Sequence, residues 1–306
     1  MSFHFMKKNI LSFLLLATLF YTDIHAGVLT FKAGQKAAYN ITQKLDSDIY
    51  IFNESEHCQS EARVSFDIEI LSVNKKTASY PFDVKITLKK VLFSEIQQNG
   101  ISTNLIAYDS SSKDLKTSEN HLLAEYYEKI IGNPLYFRVE KEFRVKETNG
   151  YLAQIHEDFD SPTSMGLFGA TPWTYELFLS QLFHLSGENL KTQQSYPTSC
   201  YQFLNWEDAP LDENQISIYQ ESDYIVNSMN SKAISASWQG NAKVINYALF
   251  LEGSGDVTVA GNVKWDAANP LVQQRALKAE VESTTNGFVK TYVNMSVEQT
   301  WYSDPR

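Results

Sequence analysis

Cysteine is nearly absent from this chain, with two in 306 residues, which excludes a disulfide-dense scaffold and the paired-cysteine spacing of a zinc site. Long apolar runs are missing as well. The longest, Ile10 to Tyr21, falls short of the roughly 20 residues a helix needs to cross a bilayer core, and no later stretch approaches it, so no transmembrane anchor is expected. Positive charge is scarce: 26 Lys and Arg stand against 36 Asp and Glu, a formal charge of −10. That balance repels phosphate backbones and anionic headgroups, so neither nucleic acid nor a membrane surface is an expected partner. A Gly-x-Ser-x-Gly elbow is lacking too, and Gly253-Ser254-Gly255 does not supply one.

What is present begins with an export signal. Met6, Lys7 and Lys8 precede the apolar run, and the polar stretch Thr22 to Ala26 follows it, the charged, apolar and small-residue order of a signal peptide. Residues 1–26 are therefore expected to leave, with cleavage after Ala26 and with Met6 as an alternative start. An uncleaved signal anchor is the alternative, disfavoured by the short run. No lipid-accepting cysteine stands near the cleavage site, so a soluble periplasmic or secreted protein is expected. In that compartment Cys58 and Cys200 are free to form one disulfide across a very long loop, or to remain two separate thiols.

Alternation with a period of two dominates the mature region. Val64, Phe66, Ile68 and Ile70 alternate with polar neighbours, as do Phe82, Val84, Ile86 and Leu88, so residues 62–93 form a β-hairpin with one buried and one wet face. A strand is expected over Tyr39 to Ile51, and further strands near Gln215 to Val226, Ala233 to Trp238 and Val244 to Leu251. Asn-Gly pairs at 99–100, 149–150 and 286–287 predict tight antiparallel turns, the middle one joining Tyr136–Lys146 to a strand Tyr151–Ile155. Gly253, Gly255 and Gly261 predict a twisted or bulged ribbon.

Two segments carry helical spacing instead. One is 118–131, with Leu122, Leu123, Tyr126, Tyr127 and Ile130 ahead of a Gly132-Asn133-Pro134 stop; the other is 171–186, where Thr171 can cap and Pro172 fits the first helical position. The expected architecture is mainly β with an α+β character. It is antiparallel, with curved sheet-containing halves at 27–156 and 171–306, a linker at 157–170, and the two amphipathic helices packed on the sheets.

Further features share one order: Phe31 to Lys36 leading into Tyr39, Tyr108-Asp109-Ser110 opening a helix-bearing insert, Gly132-Asn133-Pro134 closing it, and Gly261 to Asp266 leading into two long final strands. This order resembles a family of exported bacterial proteins of unknown function, many of them lipoproteins, built as two related β-sheet halves. The resemblance implies a fold and a compartment and no activity.

The chemistry offers few marked residues. His156, Glu157, Asp158 and Asp160 carry an Asp-x-Asp spacing, but a calcium cage needs more ligands and a placed glycine, so an acidic loop is expected there, with no metal and no cofactor. The four histidines beyond the leader, His57, His121, His156 and His184, occur in unrelated contexts. No pair of carboxylates is marked for hydrolysis, which makes a hydrolase the third choice. Tyr126, Tyr127, Trp173 and Phe178 lie on the two helices, where rings can roof an apolar cavity or pack an ordinary core. The first expectation is a non-enzymatic binding or structural protein; the second is a periplasmic carrier of a lipid or other apolar small molecule.

Overall fold

The computed structural model describes residues 26–51, 54–74, 82–100, 102–112, 121–140, 145–158, 172–205, 214–248, 251–287 and 291–306. The strands are β1 (Ala26–Gly27), β2 (Lys36–Ile51), β3 (Glu54–Val73), β4 (Phe82–Asn99), β5 (Ser102–Asp109), β6 (Pro134–Val139), β7 (Val145–Glu147), β8 (Leu190–Lys191), β9 (Ser195–Asn205), β10 (Asn214–Met229), β11 (Ala233–Ala248), β12 (Leu251–Asp266), β13 (Gln273–Gly287) and β14 (Thr291–Pro305). The helices are α1 (His121–Ile130), α2 (Tyr151–Asp158) and α3 (Pro172–Phe183). The fold is mainly β and antiparallel, as the alternation predicts.

Twelve strands form one sheet in the order β7-β6-β4-β3-β2-β14-β13-β12-β11-β10-β9, with β5 also on β4. The two runs of strands are therefore not separate sheets: β14 lies along β2 from Thr291↔Ile51 to Pro305↔Ala37. A buried polar knot ties this seam. The Tyr39 hydroxyl donates to the Leu271 carbonyl (2.6 Å) and accepts from Gln273 Nε2 (2.8 Å), while the Ser303 hydroxyl donates to Leu271 O (2.9 Å) and accepts from Gln273 N (2.7 Å). Burial pushes the Tyr39 hydroxyl up to about 12, so it stays a donor.

The β3–β4 hairpin keeps its apolar face inward through two bulges. Ser65 pairs Lys90 and Phe66 pairs Leu88, leaving Lys89 extra, and Leu71 is skipped between Ile70↔Val84 and Ser72↔Asp83. Leu88 and Val91 are three residues apart and would face opposite sides of a regular strand. With the bulge both are buried, and Leu71 is turned outward.

Several expectations change. The strand expected at Tyr151–Ile155 is helix α2. Gly150 sits at φ 65°, a conformation that suits glycine and that here turns the chain into a helix; Glu147 Oε1 accepts the Leu152 amide at 2.8 Å and satisfies one orphan donor of the first turn. Leu152 and Ile155 then both face the core. Glu157 and Asp158, expected to begin a linker, end this helix, and residues 159–171 lie outside the described residues. The strands expected at Ala233–Trp238 and Val244–Leu251 are largely one, β11, which β12 pairs without a register shift, so the β12 glycines make no bulge against it.

The sheet curls, and α3 shows by how much. Tyr175 at one end of α3 stacks on Phe137 of β6 (5.6 Å between centroids), and His184, just past the other end, meets Tyr224 of β10 (4.1 Å). Strands β6 and β10 are eight steps apart in the sheet, roughly 38 Å if flat at about 4.8 Å per step. Nine residues of helix span only about 14 Å. The sheet must wrap α3, which gives it an inner face.

Candidate functional site

The inner face has a filled end and a less filled continuation. At the filled end Phe178 touches Tyr39 (5.3 Å), Phe66 (5.2 Å) and Trp301 (4.9 Å), and Phe183 stacks on Phe82 (4.4 Å). Beside them Tyr127 stacks on Tyr108 (5.3 Å) and meets Tyr126 edge-on (5.6 Å). Tyr126, Tyr127 and Phe178 are thus core residues, at most 1% exposed, and meet rings where an open cavity was the alternative. The Trp173 side chain lies outside the described residues.

Register carries the inner face onward from this packing. Leu277 of β13 pairs Gln299 of β14, which pairs Gln43 of β2, and the two glutamines hydrogen-bond at 3.1 Å. One row further, Ala279 pairs Val297 and Val297 pairs Leu45. Met295 lies one row beyond. All are half-buried, while Val259 beside Ala279 and Ser47 beside Met295 are buried, so packing at this level is partial where around Phe178 it is complete.

Among the described residues, one acidic and one basic side chain are buried in this lining as well. The first is Glu95 of β4, which accepts from Gln97 Nε2 at 2.6 Å and from the Cys58 thiol. Burial raises its pKa, with the Glu56 charge adding to the rise and the two hydrogen bonds opposing it. Burial, Glu95 and Glu56 push the Cys58 thiol up to about 12, which leaves it a poor nucleophile at neutral pH. Cys58 is a free thiol, and six strands separate β3 from β9, which carries Cys200; the Cys200 side chain lies outside the described residues.

Glu95 makes stability depend on pH. Its folded pKa lies above its unfolded one, so no penalty exists in acid; as pH rises through the ordinary carboxyl range the unfolded chain loses its proton first, and stability falls until the raised value is passed. Glu95→Gln is expected to match the wild type near pH 4 and to exceed it near pH 7 in urea unfolding. Equal offsets at both pH values would refute this account.

The second feature is Arg275 of β13, a buried guanidinium between two indoles, 4.9 Å from the Trp238 ring and 4.5 Å from Trp301. It donates to Gln181 Oε1 (3.4 Å), to the Gln181 carbonyl (3.3 Å) and to the Tyr224 hydroxyl. The Gln181 carbonyl belongs to the last turn of α3, where a cation is favoured. His184 Nδ1 meets the same carbonyl, and burial with the nearby Arg275 charge lowers its pKa to about 3, so this histidine stays neutral. Sequence reasoning missed Arg275, because one basic residue between Gln274 and Ala276 looks like an ordinary wet position.

The outer face is of opposite character. Glu69 binds Lys36 (3.1 Å) and Lys85, Asp67 binds Lys89 (3.4 Å) and Arg306 (3.0 Å), and Asp83 binds Arg138 (2.9 Å). A lysine or arginine of this face would cost about 2–4 kcal/mol if it met lipid at mid-bilayer. Among the described residues no helix is long and apolar enough to cross a membrane, and no group of metal-ligating side chains is present.

No family model matches the chain, and no curated protein sequence does. Among solved structures, a structure titled for lipid-protein interactions in lipovitellin aligns with 90% of this chain and 25% of its own at 9% identity and a TM-score of 0.42; this chain thus spans a quarter of that one. OccK7 (OpdD) of Pseudomonas aeruginosa aligns with 89% of this chain and 100% of its own at 8% identity and a TM-score of 0.29. An outer membrane channel from Pseudomonas putida F1 aligns with 91% of this chain and 98% of its own, at 6% identity and a TM-score of 0.25. At these scores the likenesses bear on no functional question.

Proposed function

We propose that the protein is an exported, non-enzymatic binding protein whose curled sheet holds an apolar ligand on its inner face. The observation that carries this reading is the half-buried row Ala279, Val297 and Leu45, continued by Met295, beyond the packing around Phe178. Apolar side chains left partly open on a concave face lower their free energy when an apolar chain replaces the water against them, by about 25 cal/mol for each Å² covered. The leader-like segment supports a compartment outside the cytoplasm, and the charged outer face supports a soluble carrier.

A neutral naphthylamine probe that brightens in apolar surroundings tests the reading. Saturable binding is expected, weakened about tenfold or more by Val297→Asp, because a carboxylate in an apolar site must be desolvated or protonated. Thr300→Asp, on the exposed face of the same strand, is expected to leave binding within about twofold of the wild type. Absence of saturable binding, or equal losses in both variants, would remove the inner face as the site.

A further inference from the structure

Arg275 is a buried cation with no carboxylate in ion-pair contact among the described residues, and its Nε–H has no acceptor. Two neighbouring donors share that condition: Nε1 of Trp301, its cross-strand partner, and Nε1 of Trp265, a diagonal neighbour through the Trp265↔Gln273 pair. Buried donors are almost always satisfied, and an uncompensated buried charge is costlier still. Three donors left open here, one of them charged, outnumber the two open acceptors beside them, Gln273 Oε1 and His184 Nε2, and no anion neutralises the guanidinium among the described residues. Along β13 the next inward residue is Leu277, followed by Ala279, so the patch adjoins the half-buried apolar row, with the Gln43–Gln299 amides between them.

Resting on the carrier reading, we propose that the ligand is a long-chain carboxylate whose acid group is received by Arg275 and the adjoining indole N–H groups, its chain running along Leu277, Ala279, Val297 and Leu45. A carboxylate is planar, acceptor-only and negatively charged, so it matches the open donors and neutralises the guanidinium. The stacked indoles hold the guanidinium plane in place, and the glutamine amides line the passage from acid to chain. An alcohol of the same length would cover the same apolar area and leave the charge uncompensated.

Dodecanoic acid and dodecan-1-ol, titrated against purified protein by displacement of the naphthylamine probe, separate this inference from the carrier reading. The acid is expected to bind about tenfold tighter or more, since a hydrogen bond to a charged group contributes about 1.5–3 kcal/mol. Arg275→Met is expected to remove that preference while leaving the alcohol within about twofold. Acid and alcohol binding alike to the wild type would overturn the role of Arg275 and leave the carrier standing. Binding of neither would overturn both. The wild-type comparison decides even if Arg275→Met does not fold, and Arg275→Lys, which keeps the charge and loses the fork, should fall between the two.

Discussion

Phe178→Ala is expected to cost the fold about 3–5 kcal/mol, the range for truncating a fully buried phenylalanine. The ring is 1% exposed and touches Tyr39, Phe66 and Trp301, from three adjacent strands on both sides of the β2–β14 seam. Removing it takes away the transfer free energy of the ring and leaves a space those three rings cannot all close, because each is fixed by its own strand. The damage therefore reaches the seam between the two strand runs as well as α3. Urea unfolding measures it: the midpoint should fall with the slope unchanged, and Phe178→Leu should lose clearly less. A loss below about 1 kcal/mol would mean that α3 is not the filling of this interior.

Gly261→Ala is the second large effect, expected at about 1–3 kcal/mol for overpacking. A Cβ at this position would overlap the Trp238 ring and come within 2.5 Å of the Ala276 carbonyl oxygen. The ring can shift, whereas the carbonyl belongs to the paired strand and cannot move without opening the β12–β13 ladder. Trp238 also faces Arg275, so the substitution should alter tryptophan emission as well as stability. Trp238→Leu in the same chain is expected to relieve part of the loss and no more, because the carbonyl contact remains. Full rescue would show that the ring alone requires the glycine.

Much of the sheet was legible because alternation is a local signal. Val64 to Ile70 and Phe82 to Leu88 face inward as their spacing predicts, and Pro172 opens α3 as a first-position proline. Where a local signal admits two outcomes, the sequence chose wrongly: Asn149-Gly150 suits a tight turn between strands and equally a turn into a helix, and Glu147, capping Leu152, decided for the helix. Tyr126, Tyr127 and Phe178 were recognisable as inward rings, but whether they meet a cavity or other rings depends on what lies opposite, which spacing along a helix does not contain.

The sequence by itself determined the β-rich class, the inward faces of β3 and β4, the positions of α1 and α3 within a few residues, and the leader-like order of the first 26 residues. Each follows from interactions among residues close in the chain. Only the tertiary structure decided that β2 and β14 join into one sheet, that this sheet curls around α3, and that Arg275 is buried between Trp238 and Trp301. These depend on partners far apart in sequence, Ile41 beside Trp301 and Gln181 against Arg275. Such pairings gain their free energy only once the intervening chain has closed, so no local pattern records them.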